Sequence, residues 1–289
     1  MLSGPSNPTF ICPTCAARLI ADETTMDLVC KIHGAIKIDE FGIYRFSEDQ
    51  TYFEGHWTNN QSLGASSQKM SVAAHFLKPA LDSSSNWLDI GTGDGIHLDV
   101  LRQSNVAQTI VGLDVSHSAL VTCRQRHSDT ILLQADAQKL PLDDAQFDRV
   151  ISFGVLAYLD DPWKGLSEMV RVTRVGGWVG IWIYPDPAGV LGMLFKLARS
   201  ITCRLPSPLQ ARVADIIVPF LGLLPTKSGL SLKSASWAAC REVALVNIAP
   251  PHLFFPSSSE VLSKLKALNC DIEFEDADNP ITVWARRRV

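Results

Sequence analysis

Leu88-Asp89-Ile90-Gly91-Thr92-Gly93-Asp94-Gly95 is the stretch whose reading decides the fold. The apolar residues Trp87 to Ile90 read as a short buried strand, the alternating glycines as a tight loop, and Ile96 to Gln103 as the helix behind it. Glycine lets the backbone turn sharply there and approach a ligand closely. Strand, glycine loop and helix in that order open a nucleotide-binding βαβ unit.

The same alternation continues downstream. Thr109 to Leu113 reads as a strand ending at Asp114, and Ser116 to Arg126 as a helix with Ser116 as its N-cap. Ile131 to Ala135 and Phe147 to Phe153 are further strands, Pro162 opens a helix, and Gly176-Gly177 turns into a strand from Trp178 to Tyr184. Strands alternating with helices imply an α/β fold with a doubly wound, mostly parallel sheet. Upstream, apolar Met70, Ala73, Ala74, Leu77 and Leu81 space as a helix, and the polar run Asn59 to Ser67 reads as a linker. Beyond Pro185 the alternation stops, and residues 188 to 224 read as apolar helix interrupted by Pro206, Pro208 and Pro219. It resumes with a helix from Ser257 to Leu268, capped by Ser257 and Glu260, and with strands at Ile272 to Phe274 and Ile281 to Ala285.

Three acidic residues, Asp89, Asp114 and Asp136, then fall at the carboxyl ends of three successive strands, the edge where doubly wound sheets bind ligands. Asp114 suits a carboxylate accepting from two ribose hydroxyls. By itself it fits a dinucleotide-dependent dehydrogenase equally well. Asp136 with its Leu140-Pro141-Leu142 tail and Val175-Gly176-Gly177 do not fit that alternative.

Taken together these runs resemble the motifs of class I S-adenosylmethionine-dependent methyltransferases of the type 11 kind. Leu88 to Gly95 resembles their first motif, Gly112-Leu113-Asp114-Val115-Ser116 the second, and Ala135 to Leu142 the adenine-side motif. Phe147 to Ser152, Leu156 to Pro162 and Val175 to Gly177 complete the order across residues 86 to 184. The resemblance implies a Rossmann-like, seven-stranded sheet and S-adenosylmethionine as cofactor. Asp89, Gly91 and Gly93 would hold its methionine end, Asp114 and Val115 its ribose, Asp136 and Ala137 its adenine. Phe153 and Gly154 would line the floor beneath the methyl group. Where many relatives carry His after the fourth strand, Tyr158 stands here. His117, Tyr158, Tyr184 and His252 are the candidates for a base, each also readable as a packing or surface residue.

The region before the core has its own signature. Cys12-Pro13-Thr14-Cys15 and Cys30-Lys31-Ile32-His33 supply three thiolates and one imidazole in two pairs, a set that closes a tetrahedral zinc site. Residues 9–47 are too few to build a core alone, and a metal would stabilise them. The stretch Phe10 to Phe46 resembles the zinc ribbon ahead of the core in large-subunit rRNA guanine methyltransferases. It is also similar to small zinc-ribbon proteins that activate other methyltransferases. The ribbon enzymes usually have a wider gap in the last ligand pair. Tyr52 to Trp57 would fold over the cofactor, as such aromatic segments do in the family, or pack the ribbon on the core.

The expected organisation is a ribbon at 9–47 and a methyltransferase domain at 62–289 with a helical lid at 186–247. The 289 residues are 46% hydrophobic and 19% charged, enough for a sizeable core. A net charge of −4 and the lack of a strong Lys/Arg cluster disfavour nucleic acid. The expected acceptor is therefore a small, partly apolar molecule roofed by residues such as Leu191, Met193, Leu194, Phe195 and Leu197. The alternative is an RNA base, recognised through the ribbon. An odd count of seven cysteines, four of them scattered, no signal-like start and no run of ~20 apolar residues lead to the expectation of a cytoplasmic protein without a transmembrane segment.

Overall fold

A computed structural model describes residues 8–48, 53–54, 67–82, 85–184, 189–221, 237–276 and 280–289. The expected linker at 59–66, most of the aromatic stretch 52–57, and parts 186–188 and 222–236 of the expected lid lie outside the described residues.

Every residue of β5 (Ser85–Ile90) is buried, and the sheet is built around it. β6 (Ala107–Asp114), β7 (Ile131–Gln134), β8 (Phe147–Phe153) and β9 (Thr173–Ile183) run parallel to it, and β10 (Cys270–Asp276) and β11 (Ile281–Arg287) close one side antiparallel. These are the seven strands expected. An eighth, β4 (Ile43–Arg45), comes from the N-terminal segment, giving the order β10-β11-β9-β8-β5-β6-β7-β4. β4 lies parallel to β7, with Ile43 opposite Leu132 and Arg45 opposite Gln134. A separate small sheet holds β1 (Ile20–Ala21), β2 (Leu28–Cys30) and β3 (Gly34–Ile36).

Alternation along β5 divides the core in two, because successive side chains point to opposite faces. Leu88 and Ile90 join one apolar cluster with Phe10, Leu28 and Tyr44 of the N-terminal segment. Trp87 joins the other, with Phe76, Leu98 and Trp284. Trp284 lies over Gly180, where an added Cβ would sit 2.6 Å from its ring, so only glycine admits the indole. Phe76 belongs to α1 (Ser67–Leu77) and Leu98 to α2 (Ile96–Ser104).

The caps expected at Ser116 and at Ser257 with Glu260 are present, and Asp161 adds one that was not expected. The Ser116 side chain accepts from Ala119 N–H at the start of α3 (His117–Arg126). Asp161 caps α4 (Pro162–Val172), whose first turn holds the proline. Ser257 and Glu260 form a reciprocal capping box on α8 (Ser258–Ala267). The largest difference in a strand boundary is at β9, which begins at Thr173; the Gly176-Gly177 turn is a bulge within it, where the register with β8 slips between Phe147 and Arg149.

The segment after β9 contains α5 (Gly189–Thr202), α6 (Ser207–Leu221) and α7 (Trp237–Ile248). Ala214, Ala244 and Ile248 form a small core of their own there, with Ile217 packed against it. The expected apolar roof is only partly inward. Phe195 is half-buried and its ring meets Phe255, but Met193, Leu194, Leu197 and Ile216 are exposed. Among the described residues no helix is long and apolar enough to cross a membrane.

Candidate functional site

The parallel strands deliver the acidic residues to one edge. Asp114 and Gln134 end β6 and β7 side by side, and Ala135 N–H donates to Asp114 O, so Asp136 follows directly. The glycine loop is tied to the same edge by Gly91 N–H and Thr92 N–H, both donating to Leu113 O. Gly91, Gly93 and Gly95 all have left-handed φ, at 76°, 54° and 86°. At Gly91 a Cβ would lie 1.9 Å from Val155 Cγ2, so the loop meets the segment after β8 without space for a side chain.

Asp114 is buried. Its Oδ2 accepts from Gly93 N–H at 2.9 Å and its Oδ1 from Ser116 N–H at 2.9 Å. Burial pushes its carboxyl up to about 6; the Ser116 and Gly93 N–H groups oppose this, and the charge of Asp89 adds to it. Asp89 is fully buried, and neither of its oxygens has a hydrogen-bond partner. His97 Nδ1 approaches Asp89 Oδ2 at 3.4 Å without hydrogen-bonding geometry. Thr92 Oγ1 and Ser152 Oγ, from the loop and from β8, are also buried without a partner. Unsatisfied buried polar atoms are costly, and several gathered at one sheet edge fit a polar ligand. The left-handed glycines and the orphaned carboxylate thus fit the methionine and ribose ends of S-adenosylmethionine.

The other expected cofactor residues lie on the same rim. Val115 O accepts from the Gln134 side chain at 3.1 Å. Asp136 Oδ1 accepts from Gln138 N–H at 2.8 Å, and Ala137 is buried beside it. Phe153 stacks on Trp182 with ring centres 4.0 Å apart, and Trp182 meets Tyr184 edge-on. Phe153 also touches Phe76 and His97, so an aromatic wall extends from β8 to α2.

Of the four candidates for a base, Tyr184 stands in this aromatic wall, and the other three have different surroundings. His117 Nε2 lies 2.6 Å from Asp39 Oδ2 and its ring meets Phe41, which joins α3 to the N-terminal segment. The Tyr158 hydroxyl donates to Val246 O at 3.4 Å, and its ring meets Phe53 edge-on. His252 is exposed, 3.1 Å from Asp160. Sequence reasoning missed His97, Val155 and Glu54. His97 follows the glycine loop by two residues, a spacing that could have flagged it. Glu54 caps α3, accepting from Ser118 N–H at 3.1 Å and from Ser116 Oγ at 2.9 Å. With Phe53 on Tyr158 and Glu54 on Ser116, this short stretch bridges the ends of β8 and β6.

Cys12, Cys15, Cys30 and His33 converge, with their ligand atoms all within 4.8 Å of one another. Cys15 and Cys30 Sγ are 3.7 Å apart, and His33 Nδ1 lies 3.5 Å from Cys12 Sγ and 3.6 Å from Cys30 Sγ. A tetrahedral zinc with ordinary bond lengths separates two sulfurs by ~3.8 Å and sulfur from nitrogen by ~3.6 Å. The three separations just given match those values. The Ile32 and His33 N–H groups lower the Cys30 thiol to about 6, which favours the thiolate a metal needs.

The family described as methyltransferase domain matches residues 88–181. A ubiquinone/menaquinone biosynthesis C-methyltransferase of Geobacter sp. (strain M21) is 35% identical over 118 residues, covering 38% of this chain and 50% of that protein. A chloroplastic 2-methyl-6-phytyl-1,4-hydroquinone methyltransferase of Oryza sativa subsp. japonica is 31% identical over 150 residues, covering 49% and 39%. The chain thus spans half or less of these relatives' length. In fold it is similar to a chain from the complex of the Haloferax volcanii Trm112 methyltransferase activator with a methyltransferase. That match has a TM-score of 0.54 and 16% identity, and covers 87% of this chain and 99% of that one. The glycine loop and acidic edge fall within the matched residues, so residues 88–181 carry a methyltransferase domain of the class I, S-adenosylmethionine-dependent kind.

Proposed function

We propose that this chain transfers a methyl group from S-adenosylmethionine to a small, partly apolar molecule. The observation that carries the reading is the buried Asp89 carboxylate, near His97 but without a hydrogen bond, beneath a left-handed glycine loop and beside Asp114. Bound there, S-adenosylmethionine supplies a methyl group already activated by the sulfonium. The protein's own work is positioning and exclusion of water. Asp114 accepts from the ribose hydroxyls with Val115 alongside, Asp136 and Ala137 hold the adenine, and Asp89, Gly91 and Gly93 hold the methionine end. The aromatic wall of Phe153 and Trp182 keeps water from the methyl group. Tyr158, on the segment after β8, is better placed than His117 to meet an acceptor, since Asp39 and Phe41 hold His117 against the N-terminal segment.

The segment 186–247, which contains α5, α6 and most of α7, is the lid of a methyltransferase domain at 62–289. The module at 9–47 holds a structural zinc through Cys12, Cys15, Cys30 and His33. Relatives named for ubiquinone/menaquinone biosynthesis and for a phytyl hydroquinone favour an acceptor with an apolar part. Methylation of an RNA base through the ribbon is the competing reading. Residues 8–48 contain four Lys/Arg against six Asp/Glu, the wrong sign for phosphate.

Calorimetry of the full chain with S-adenosylmethionine tests the cofactor assignment, with loss of binding expected in Asp114→Ala. Labelled methyl entering total RNA, and no small hydroquinone or other metabolite, would overturn the acceptor class.

A further inference from the structure

α5 carries its apolar face outward. Val190, Met193, Leu194, Leu197 and Ile201 are each between 52% and 70% exposed. At 100° per residue they fall within an arc of roughly 100°, one stripe along the helix. An ordinary surface helix turns such a stripe toward the core. Here the inward face is taken by Arg199, buried, donating to Asn247 O at 3.1 Å and Pro250 O at 2.7 Å near the end of α7. Thr202 on the same face donates to Ile248 O at 3.2 Å. The polar face is therefore anchored on carbonyls, and the helix cannot roll its apolar stripe inward without breaking those bonds.

Charge sets this region apart. Between 187 and 241 there are seven Lys/Arg and one Asp, a net of +6 in a chain of net −4, so the remainder carries −10. No acidic residue occurs from 189 to 214, and Lys196, Arg204 and Arg212 there are exposed. An exposed apolar stripe in a basic, acid-free segment is complementary to a surface that is apolar within and anionic at its boundary. A second copy of this chain would bring like charges against Lys196, Arg204 and Arg212.

We propose that α5, with the basic turn into α6, docks on an anionic lipid bilayer, lying in its interface without crossing it. The stripe enters the acyl boundary, and Arg204 and Arg212 meet lipid phosphates. α7 links this face to the site, because α5 is bonded to its end and Val246 O on α7 accepts from Tyr158. The inference does not depend on which molecule accepts the methyl group.

The test is flotation of the full chain, without cofactor, on vesicles of phosphatidylcholine alone and of phosphatidylcholine mixed with phosphatidylglycerol. Binding is expected to the mixed vesicles, weaker on neutral ones, and released by salt. Leu197→Glu with Ile201→Glu should reduce partitioning by more than about tenfold, and Arg204→Glu with Arg212→Glu by about tenfold. All four side chains are exposed, and an unchanged melting temperature confirms folding. Three outcomes would overturn the proposal: no binding, equal binding to both vesicles, or binding unaffected by either pair. Concentration-dependent self-association abolished by Leu197→Glu, without vesicle binding, would assign the stripe to a second copy instead.

Discussion

Asp114 couples the fold to pH in a direction opposite to most carboxylates. Its carboxyl is raised from an ordinary 3.8 to about 6. The folded chain therefore holds the proton more tightly than the unfolded chain does. This contribution to stability is complete below the unfolded value and is lost as pH rises through about 6. The difference corresponds to ~3 kcal/mol, order of magnitude. Asp114→Asn removes the titration and keeps the shape. It sacrifices one of the two bonds to Gly93 and Ser116 N–H, a penalty that does not vary with pH. Urea denaturation of both proteins from about pH 3 to about pH 8 should show the parent losing ~3 kcal/mol relative to the variant as pH rises. Subtracting the two curves cancels every other titrating group. Binding of S-adenosylmethionine should run the other way. The ionised acid accepts from ribose, so parent affinity falls about tenfold from neutral pH to pH 5, while the variant binds weakly throughout. A difference in stability that stays flat, or moves in the parent's favour as pH rises, would refute the reasoning.

Gly91→Ala should destabilise the chain by about 2–4 kcal/mol in urea denaturation, since its φ of 76° is left-handed and its Cβ would meet Val155. Adding Val155→Ala should recover the steric part only, and a double variant no better than the single would exclude Val155 as the obstacle. Cys30→Ser should lower bound zinc from one ion per chain to substoichiometric in elemental analysis and reduce the melting temperature. Equal zinc in both proteins would contradict the four-ligand site.

The acidic edge was legible because its signals are local. A glycine loop, an aspartate at a strand end and a Ser-x-x-Glu cap each declare themselves within a few residues. The ribbon's attachment was not. β4 has three residues, and its partner β7 lies about ninety positions downstream, a pairing without a short-range sign. Glu54 was missed for the same reason: it caps a helix more than sixty residues away. The apolar stripe of α5 was visible as a period, but a period fixes which residues share a face and not which way that face looks. Only the bonds of Arg199 to the end of α7 determine that.

The parallel pairing of β4 with β7 bears on how the chain assembles and stays dispersed. Without β4, one side of the sheet would end at β7 with its peptide groups open, the kind of border along which sheets join between molecules. The N-terminal segment is thus a built-in edge guard for the core that follows it. Its docking joins parts of the chain far apart in sequence, which slows folding. The small sheet can form early around its cysteines and Ile38 bridges Tyr44 locally, but β4 gains its parallel partner only when residues 131–134 are in place.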